Sequence, residues 1–336
     1  MKCHFCRDAW PCVSTEVTSH KSMEITMTKR NITIATRGSE LALIQSNYVK
    51  DWIEKRHKDL GVHLNIIKTT GDKILDSPLS QVGEKGLFVK EIEESLISGE
   101  SDLAVHSMKD VLTTLPDGLH IVAVGEREDP RDVLISNRYS QLSELPEAAR
   151  IGTSSLRRKV QLLHHYPKLE IVDIRGNLNT RLKKLESEKM DGIILAAAGV
   201  KRMGWTDRTS EYIDPGVCIP AVSQGAIGIE CRLEDDFINR ILKPFNHYRT
   251  QVCLTAERSF MRRLEGGCQV PIGGYTHLEG DQLIMDGMVA SLDGKVMLIE
   301  QMTASLDEAN DLGIRIADKL IERGANKILG EIRDSS

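Results

Sequence analysis

Three sets of residues in this sequence have the types and spacing to do chemistry. The first is a thiol in a loop: in "RLEGGCQVPIGGY", residues 263 to 275, Cys268 stands between a glycine pair and a proline, where a helical pattern ends. Glycines give the backbone freedom to project a side chain, which argues against simple burial. No histidine stands close by in sequence to activate the sulfur for turnover, so spacing alone leaves nucleophile and attachment point equally open. The second set is "AVHSMKDV", where a strand ends in Ser107, Lys109 and Asp110. Open α/β sheets place ligands at the carboxyl ends of strands, although an aspartate there is also an ordinary cap or turn former. The third set is cationic: Arg37 beside Ser39, Arg157 and Arg158 after Thr153, Ser154 and Ser155, Arg175 in "IRGN", Arg181 one turn on, and Lys201 with Arg202. Guanidinium forks at such turns suit carboxylates or phosphates, while any one of them alone reads first as a solvated charge. Several together in an acidic chain point to a polyanionic ligand. A carboxylate among them suits a step in which positive charge develops or a proton moves.

Composition bounds what such residues can serve. The chain has 336 residues, 40% hydrophobic and 28% charged, with a formal net charge of -5. That is the makeup of a soluble globular protein of about two or three domains, not of a generic nucleic-acid or membrane-surface binder. No apolar run approaches the roughly 18 residues of a membrane span. Seven cysteines without framework spacing indicate free thiols in a reducing compartment, and a cytoplasmic location is expected. Residues 1–30 lack a secretory apolar region and carry Asp8, Glu16 and Glu24, unlike a transit peptide. They read as a disordered leader, or as sequence upstream of a start at Met23 or Met27. Cys3, Cys6, Cys12, His4 and His20 match no closed four-ligand spacing, so no metal is expected. No Walker sequence, complete Rossmann fingerprint or metalloprotease helix signature is present.

The elements that must position these residues follow from periodicity. "NITIATR" reads as a strand, followed by a helix capped by Ser39 with Leu41, Ile44, Tyr48 and Trp52 at helical spacing. Further strands are expected in "HLNIIKTT", "SDLAVHSM", "LHIVAVGE", "DVLISN", "LEIVDIR" and "GIILAAAG", most of them separated by helical stretches. This alternation predicts parallel sheets covered by helices. "IATRGSELAL" and "IGTSSLRRKV" are similar strand-to-helix junctions. If each opens one α/β lobe, two helix N-termini suited to an anion face one another across a cleft. His106 reads as a hydrogen-bonded core residue. After residue 233 come helices, hairpins around Gly280-Asp281 and Asp293-Gly294, and a last helix from about Asp307, which predicts an α+β domain with Cys268 at its entrance.

Taken in order, "IATRGSELALIQ", "GEKGLFVKEIE", "DLAVHSMKDV", "EREDPRD", "IGTSSLRRKVQL", "IRGNLNTRL", "LAAAGVKRMG", "PAVSQGAIGIECR" and "RLEGGCQVPIGGY" closely resemble the hydroxymethylbilane synthase, or porphobilinogen deaminase, family. The resemblance runs from residue 31 to about 330. It implies two periplasmic-binding-protein-like α/β lobes around a cleft and a smaller α+β C-terminal domain with an antiparallel sheet. The expected divisions are 31–126 with about 226–243, then 130–222, then 246–336. The implied activity joins four porphobilinogen molecules head to tail with loss of ammonia and frees the linear tetrapyrrole by hydrolysis. It also implies a monomer that binds no nucleic acid and no membrane.

By the same resemblance, Cys268 holds a dipyrromethane cofactor by a thioether. Asp110 is the catalytic aspartate, with Lys109 and Arg37 beside it. The cofactor is expected on Ser107, Lys109, Asp110, Thr153, Ser154, Ser155, Arg157, Arg158 and Gly199. Substrate carboxylates are expected on Arg37, Ser39, Arg175, Arg181 and Arg202, with Gln224 positioning substrate and Lys85 and Phe88 on a mobile loop. Three positions depart from the family's usual residues: Ser223 and Glu84 stand where glycine is frequent, and Leu112 where proline is common. The main rival is a two-lobed binding protein for a small organic anion, with reversible ligand and no covalent addition. A second is a transferase whose cysteine is labelled transiently in each cycle.

Overall fold

The computed structural model describes residues 31–73, 88–266 and 270–334. The chain begins with β1 (Asn31–Arg37) and turns through Ser39 into α1 (Glu40–Arg56). The Ser39 hydroxyl accepts from the Ala42 N–H at 3.4 Å, which satisfies one of the free donors of the helix start. β2 (Gly61–Ile67), α2 (Thr70–Lys73), α3 (Lys90–Ile97), β3 (Leu103–Ser107) and β4 (Leu119–Val124) complete the first run. The second run is β5 (Asp132–Ile135), β6 (Arg150–Gly152), α4 (Leu156–His165), β7 (Glu170–Val172), α5 (Leu178–Ser187), β8 (Gly192–Ala196), α6 (Ala197–Arg202) and β9 (Glu211–Tyr212). β10 (Ile227–Arg232) and α7 (Asp236–Leu242) return to the first.

Each run builds a five-stranded sheet, ordered β2-β1-β3-β10-β4 and β7-β6-β8-β5-β9. The expectation of parallel sheets needs correction, because both are mixed. β10 lies antiparallel between β3 and β4, and β5 lies antiparallel between β8 and β9. The reason is topological: the chain crosses from the first lobe to the second after β4 and comes back after β9. In each sheet the strand beside a crossing enters from the other lobe, against the direction of its neighbours. The two crossings, 125–131 and 213–226, thus tie the lobes together beside the strand ends where ligands bind.

The first sheet buries Ile32, Ile34, Leu103, Ile229 and Cys231 against Val49, Ile53, Ile238 and Phe245. The buried face of α1 is Gln45, Ser46, Val49 and Ile53, while Tyr48 is 55% exposed. The Leu41/Ile44/Tyr48/Trp52 stripe is therefore the flank of the helix. Hydrophobicity misplaces the face because Gln45 and Ser46 are buried for their hydrogen bonds to Ser107 and Thr36. "GIILAAAG" is likewise a short strand that passes into α6 at Ala197.

The remainder is a three-stranded antiparallel sheet, β11 (Ile272–Glu279), β12 (Gln282–Ala290) and β13 (Met297–Ser305), with α8 (Tyr248–Arg263), α9 (Ala309–Glu322) and α10 (Ala325–Asp334). Gly280-Asp281 is the two-residue hairpin loop between β11 and β12. The expected last helix is two, broken at Gly324 (φ +101°), a conformation that favours glycine. A Cβ on Gly313 would come within 2.0 Å of the Ala256 carbonyl oxygen, so this glycine lets α8 and α9 cross in contact. The architecture is thus two α/β lobes and a C-terminal α+β unit around Phe260, Leu312 and Ile316. No helix among the described residues is long and apolar enough to cross a membrane.

Candidate active site

The first wall is built where β1 and β3 end. Arg37 closes β1, and its guanidinium meets the Asp72 carboxylate through Nε (3.3 Å) and Nη2 while lying 4.2 Å from the Phe88 ring centroid. Burial pushes the Asp72 carboxyl up, but Arg37 and Thr69 together hold it below its usual value. Arg37, Ser39, Gln45, Phe88, His106, Ser107 and Asp110 line a small cavity of about 70 Å³. Lys109 and Asp110 lie in a single 3-10 turn, Met108–Asp110, straight after β3. Gln45 anchors this turn through its amide on the Ser107 hydroxyl at 3.0 Å.

The second wall is the junction from β6 to α4. Thr153 is buried, the Ser154 hydroxyl donates to the Ile174 carbonyl, and Ser155 caps α4 by accepting from the Arg158 N–H at 3.5 Å. Arg157 and Arg158 turn inward onto Asp132, the first residue of β5, with Nη2 contacts of 2.7 Å each. Arg157 also donates to the Ile219 carbonyl (2.7 Å) and Arg158 to that of Ile194 (2.9 Å). Asp132 is fully buried; burial would raise its pKa, but the two guanidiniums hold it far below the carboxylate range.

Gln224, in the returning crossing, joins the walls. Its amide donates to Asp132 (2.9 Å) and to the Pro130 carbonyl (2.8 Å), and its carbonyl accepts from Lys109 Nζ at 3.3 Å. Ser223 beside it has φ +63° and a buried hydroxyl without a hydrogen-bond partner among the described residues. Arg202 donates to the Gly225 carbonyl at 2.6 Å, and burial lowers its pKa. Lys201 pairs with Glu128 at 2.6 Å. Gly199 lies where a Cβ would stand 3.2 Å from Leu178 and 3.6 Å from Leu41, so its bare backbone lets α1 and α6 approach across the lobes.

The electrostatics show which groups share one space. Burial pushes Lys109 down to about 8, with Arg158 and Arg157 adding to it and Asp110 and Asp132 opposing. Burial also brings Arg181 down to about 10, with Arg158 and Arg175 adding to it and Asp173 and Asp110 opposing. Asp110 from the first lobe and Arg158, Arg175 and Arg181 from the second thus lie within electrostatic reach of one another. Arg181 Nε donates to the Gly176 carbonyl (2.9 Å), but Arg175 Nε is buried without a partner among the described residues. Cationic charge is in excess here, and an anion would relieve it.

Lys85 and Cys268 lie outside the described residues. The sequence reading missed Asp132 and Asp72, the two carboxylates that pair with Arg157, Arg158 and Arg37. "EREDPRD" contains Asp132, but nothing in the sequence ties it to arginines 25 and 26 positions on.

Comparison with known proteins gives this arrangement a family. The family model described as porphobilinogen deaminase, dipyromethane cofactor binding domain, matches residues 32–240, and that for the porphobilinogen deaminase C-terminal domain matches 251–322. The porphobilinogen deaminase of Pelobacter propionicus is 50% identical over 306 residues, covering 91% of this chain and 98% of its own. That of Geotalea uraniireducens is 51% identical over 306 residues, covering 91% and 96%. A putative methionine-binding lipoprotein from Bacillus subtilis is similar in structure over 65% of this chain and 91% of its own, at 13% identity and a TM-score of 0.41. Matches spanning both family domains, with relatives at half identity over nearly their full length, leave one conclusion: the chain belongs to the porphobilinogen deaminase family.

Proposed function

We propose that this protein is a hydroxymethylbilane synthase that condenses four porphobilinogen molecules head to tail, releasing ammonia at each addition and the linear tetrapyrrole by hydrolysis. The observation that carries the reading is the buried excess of positive charge around Asp110: Lys109 and Arg181 with depressed pKa values and Arg175 Nε without a partner among the described residues. Dipyrromethane, whose acetate and propionate groups are anions, fits these residues. When bound, it supplies a permanent primer with a free pyrrole α-carbon, and Cys268 is the residue assigned to hold it.

The chain's own residues then divide the work. Ser107, Lys109, Thr153 and Ser155 offer hydroxyls and an ammonium to the cofactor's carboxylates, with Ser154, whose hydroxyl donates to the Ile174 carbonyl, and Arg157, Arg158 and Gly199 framing that end. Arg37, Ser39, Arg175, Arg181 and Arg202 take the carboxylates of the incoming substrate, with Lys85, Phe88 and Gln224 completing the contacts. A desolvated arginine fork of this kind is worth about 2–4 kcal/mol. Asp110 is the carboxylate on which pyrrole N–H groups and the cation left by departing ammonia converge. It stabilises that charge and assists proton transfer. Residues 31–126 with about 226–243 and residues 130–222 are assigned to the lobes and 246–336 to the cysteine-bearing domain. The working unit is a cytoplasmic monomer.

Asp110→Asn tests the assignment: single-turnover ammonia release falls by at least about a hundredfold while the circular dichroism spectrum is unchanged. Near-normal single-turnover rates in that variant refute the role.

A further inference from the structure

Beside the cavity of the first wall, three ionisable side chains are buried within electrostatic reach of one another. His106 Nε2 lies 2.9 Å from Glu230 Oε2, with side chains 4% and 0% exposed. Glu93, on α3, is 6% exposed and packs within electrostatic reach of both. The pairing follows from register: β10 runs antiparallel to β3 with Gly228 opposite His106 and Glu230 opposite Ala104, so His106 and Glu230 are diagonal neighbours on one face. Glu230 Oε1 and Glu93 Oε1 are both buried and without a hydrogen-bond partner among the described residues.

Fully ionised, the trio would hold two carboxylates against one imidazolium with two oxygens unsatisfied. Such a site relieves itself by keeping a proton. Among the described residues, few other charged or titratable groups face it. Arg258 from α8 acts on Glu230, Cys231 is its neighbour on β10, and Arg37 from β1 and Asp110 after β3 line the cavity with His106. Neither the chemistry assigned to Asp110 nor the carboxylate-binding arginines use this trio, yet it sits where both are set. His106 precedes the Ser107–Asp110 segment, and Glu93 lies in the first turn of α3, just after Phe88, whose ring stacks on Arg37.

We propose that Glu93, Glu230 and His106 share one buried proton, and that this proton positions the substrate side of the site by seating α3 against β3 so that Phe88 stays on Arg37. Glu93 is the group that gives the proton up: burial, then the charge of Glu230, push it up to about 7, with His106 opposing. Above that pH, a second buried carboxylate loosens the α3–β3 contact and porphobilinogen binds less well. The effect on substrate rests on the function proposed above; the shared proton does not.

Two measurements on the full-length holoprotein test it. Infrared titration of the wild type should show a protonated-carboxyl band lost around pH 7 and missing at every pH from Glu93→Gln. Steady-state kinetics should show KM for porphobilinogen rising roughly tenfold through that window at unchanged kcat, with the rise abolished in Glu93→Gln, a neutral isostere of the protonated acid. The Lys109 ammonium titrates higher, at about 8, and its effect persists in the variant. A wild type without the band, or a Glu93→Gln enzyme with the same rise in KM, overturns the proposal. A band that behaves as expected in a protein without porphobilinogen turnover supports the shared proton and overturns the enzymatic reading, so the two failures are distinguishable.

Discussion

Asp132→Asn isolates what holds the second wall. The carboxylate takes 2.7 Å contacts from both Arg157 and Arg158, a further 3.1 Å contact from Arg158 Nε and 2.9 Å from Gln224. The side chains of the two arginines are 5% and 6% exposed, and that of Asp132 is 0% exposed. Its pKa is so far depressed that it stays charged throughout the working pH range, so asparagine imposes a neutral state the native protein never visits. Removing one partner of a buried ion pair costs about 3–5 kcal/mol, because the remaining charge is left uncompensated. Here two guanidiniums are left, so the upper half of that range is expected. Native-state hydrogen exchange gives the readout: amide protection in β8, which pairs with β5, should fall by about three to three and a half orders of magnitude, as about 1.4 kcal/mol corresponds to tenfold. The Arg37–Asp72 pair, whose side chains are 25% and 24% exposed, serves as the contrast, since a partly solvated bridge is worth about 0–1 kcal/mol. A loss of protection below about tenfold in Asp132→Asn would refute the reasoning that carboxylate charge organises this wall.

Two further outcomes follow from the same accounting. Ser223→Gly relieves a positive φ of 63° and deletes a buried hydroxyl that has no partner among the described residues, so it should stabilise the protein by about 1 kcal/mol, read as a raised Tm. Glu93 has a folded pKa of about 7 against 4.5 in the unfolded chain, so its contribution is greatest below about pH 4.5 and is lost as pH rises to about 7, beyond which it is constant. The change is about 3 kcal/mol, and the wild-type-minus-Glu93→Gln difference in unfolding free energy should follow that curve; a flat difference contradicts it.

Local signals were legible because their physics is local. Ser39 caps the helix that its position before an apolar-periodic stretch predicts, and Gly280-Asp281 makes the two-residue hairpin that its type predicts. Lys109 and Asp110 fall at the end of a strand, as read. What periodicity could not give was strand direction, since β5 and β10 look like any other apolar run until the crossings reveal that each sheet borrows from the other lobe. The buried face of α1 escaped for a related reason: Gln45 and Ser46 are buried by hydrogen bonds, which leave no mark in a hydrophobic pattern. The arginines of the site were visible by type, but their structural partners were not. Asp132 is brought to Arg157 and Arg158 only when β5 docks beside β8.

The proposed attachment of a pyrrole primer through one sulfur is tested most directly by intact-mass spectrometry of the freshly purified protein. The wild-type chain should carry the mass of one dipyrromethane and Cys268→Ser should not, with the wild-type adduct surviving repeated turnover. A wild-type protein that is unmodified yet fully active, or an adduct that persists in Cys268→Ser, would contradict the account.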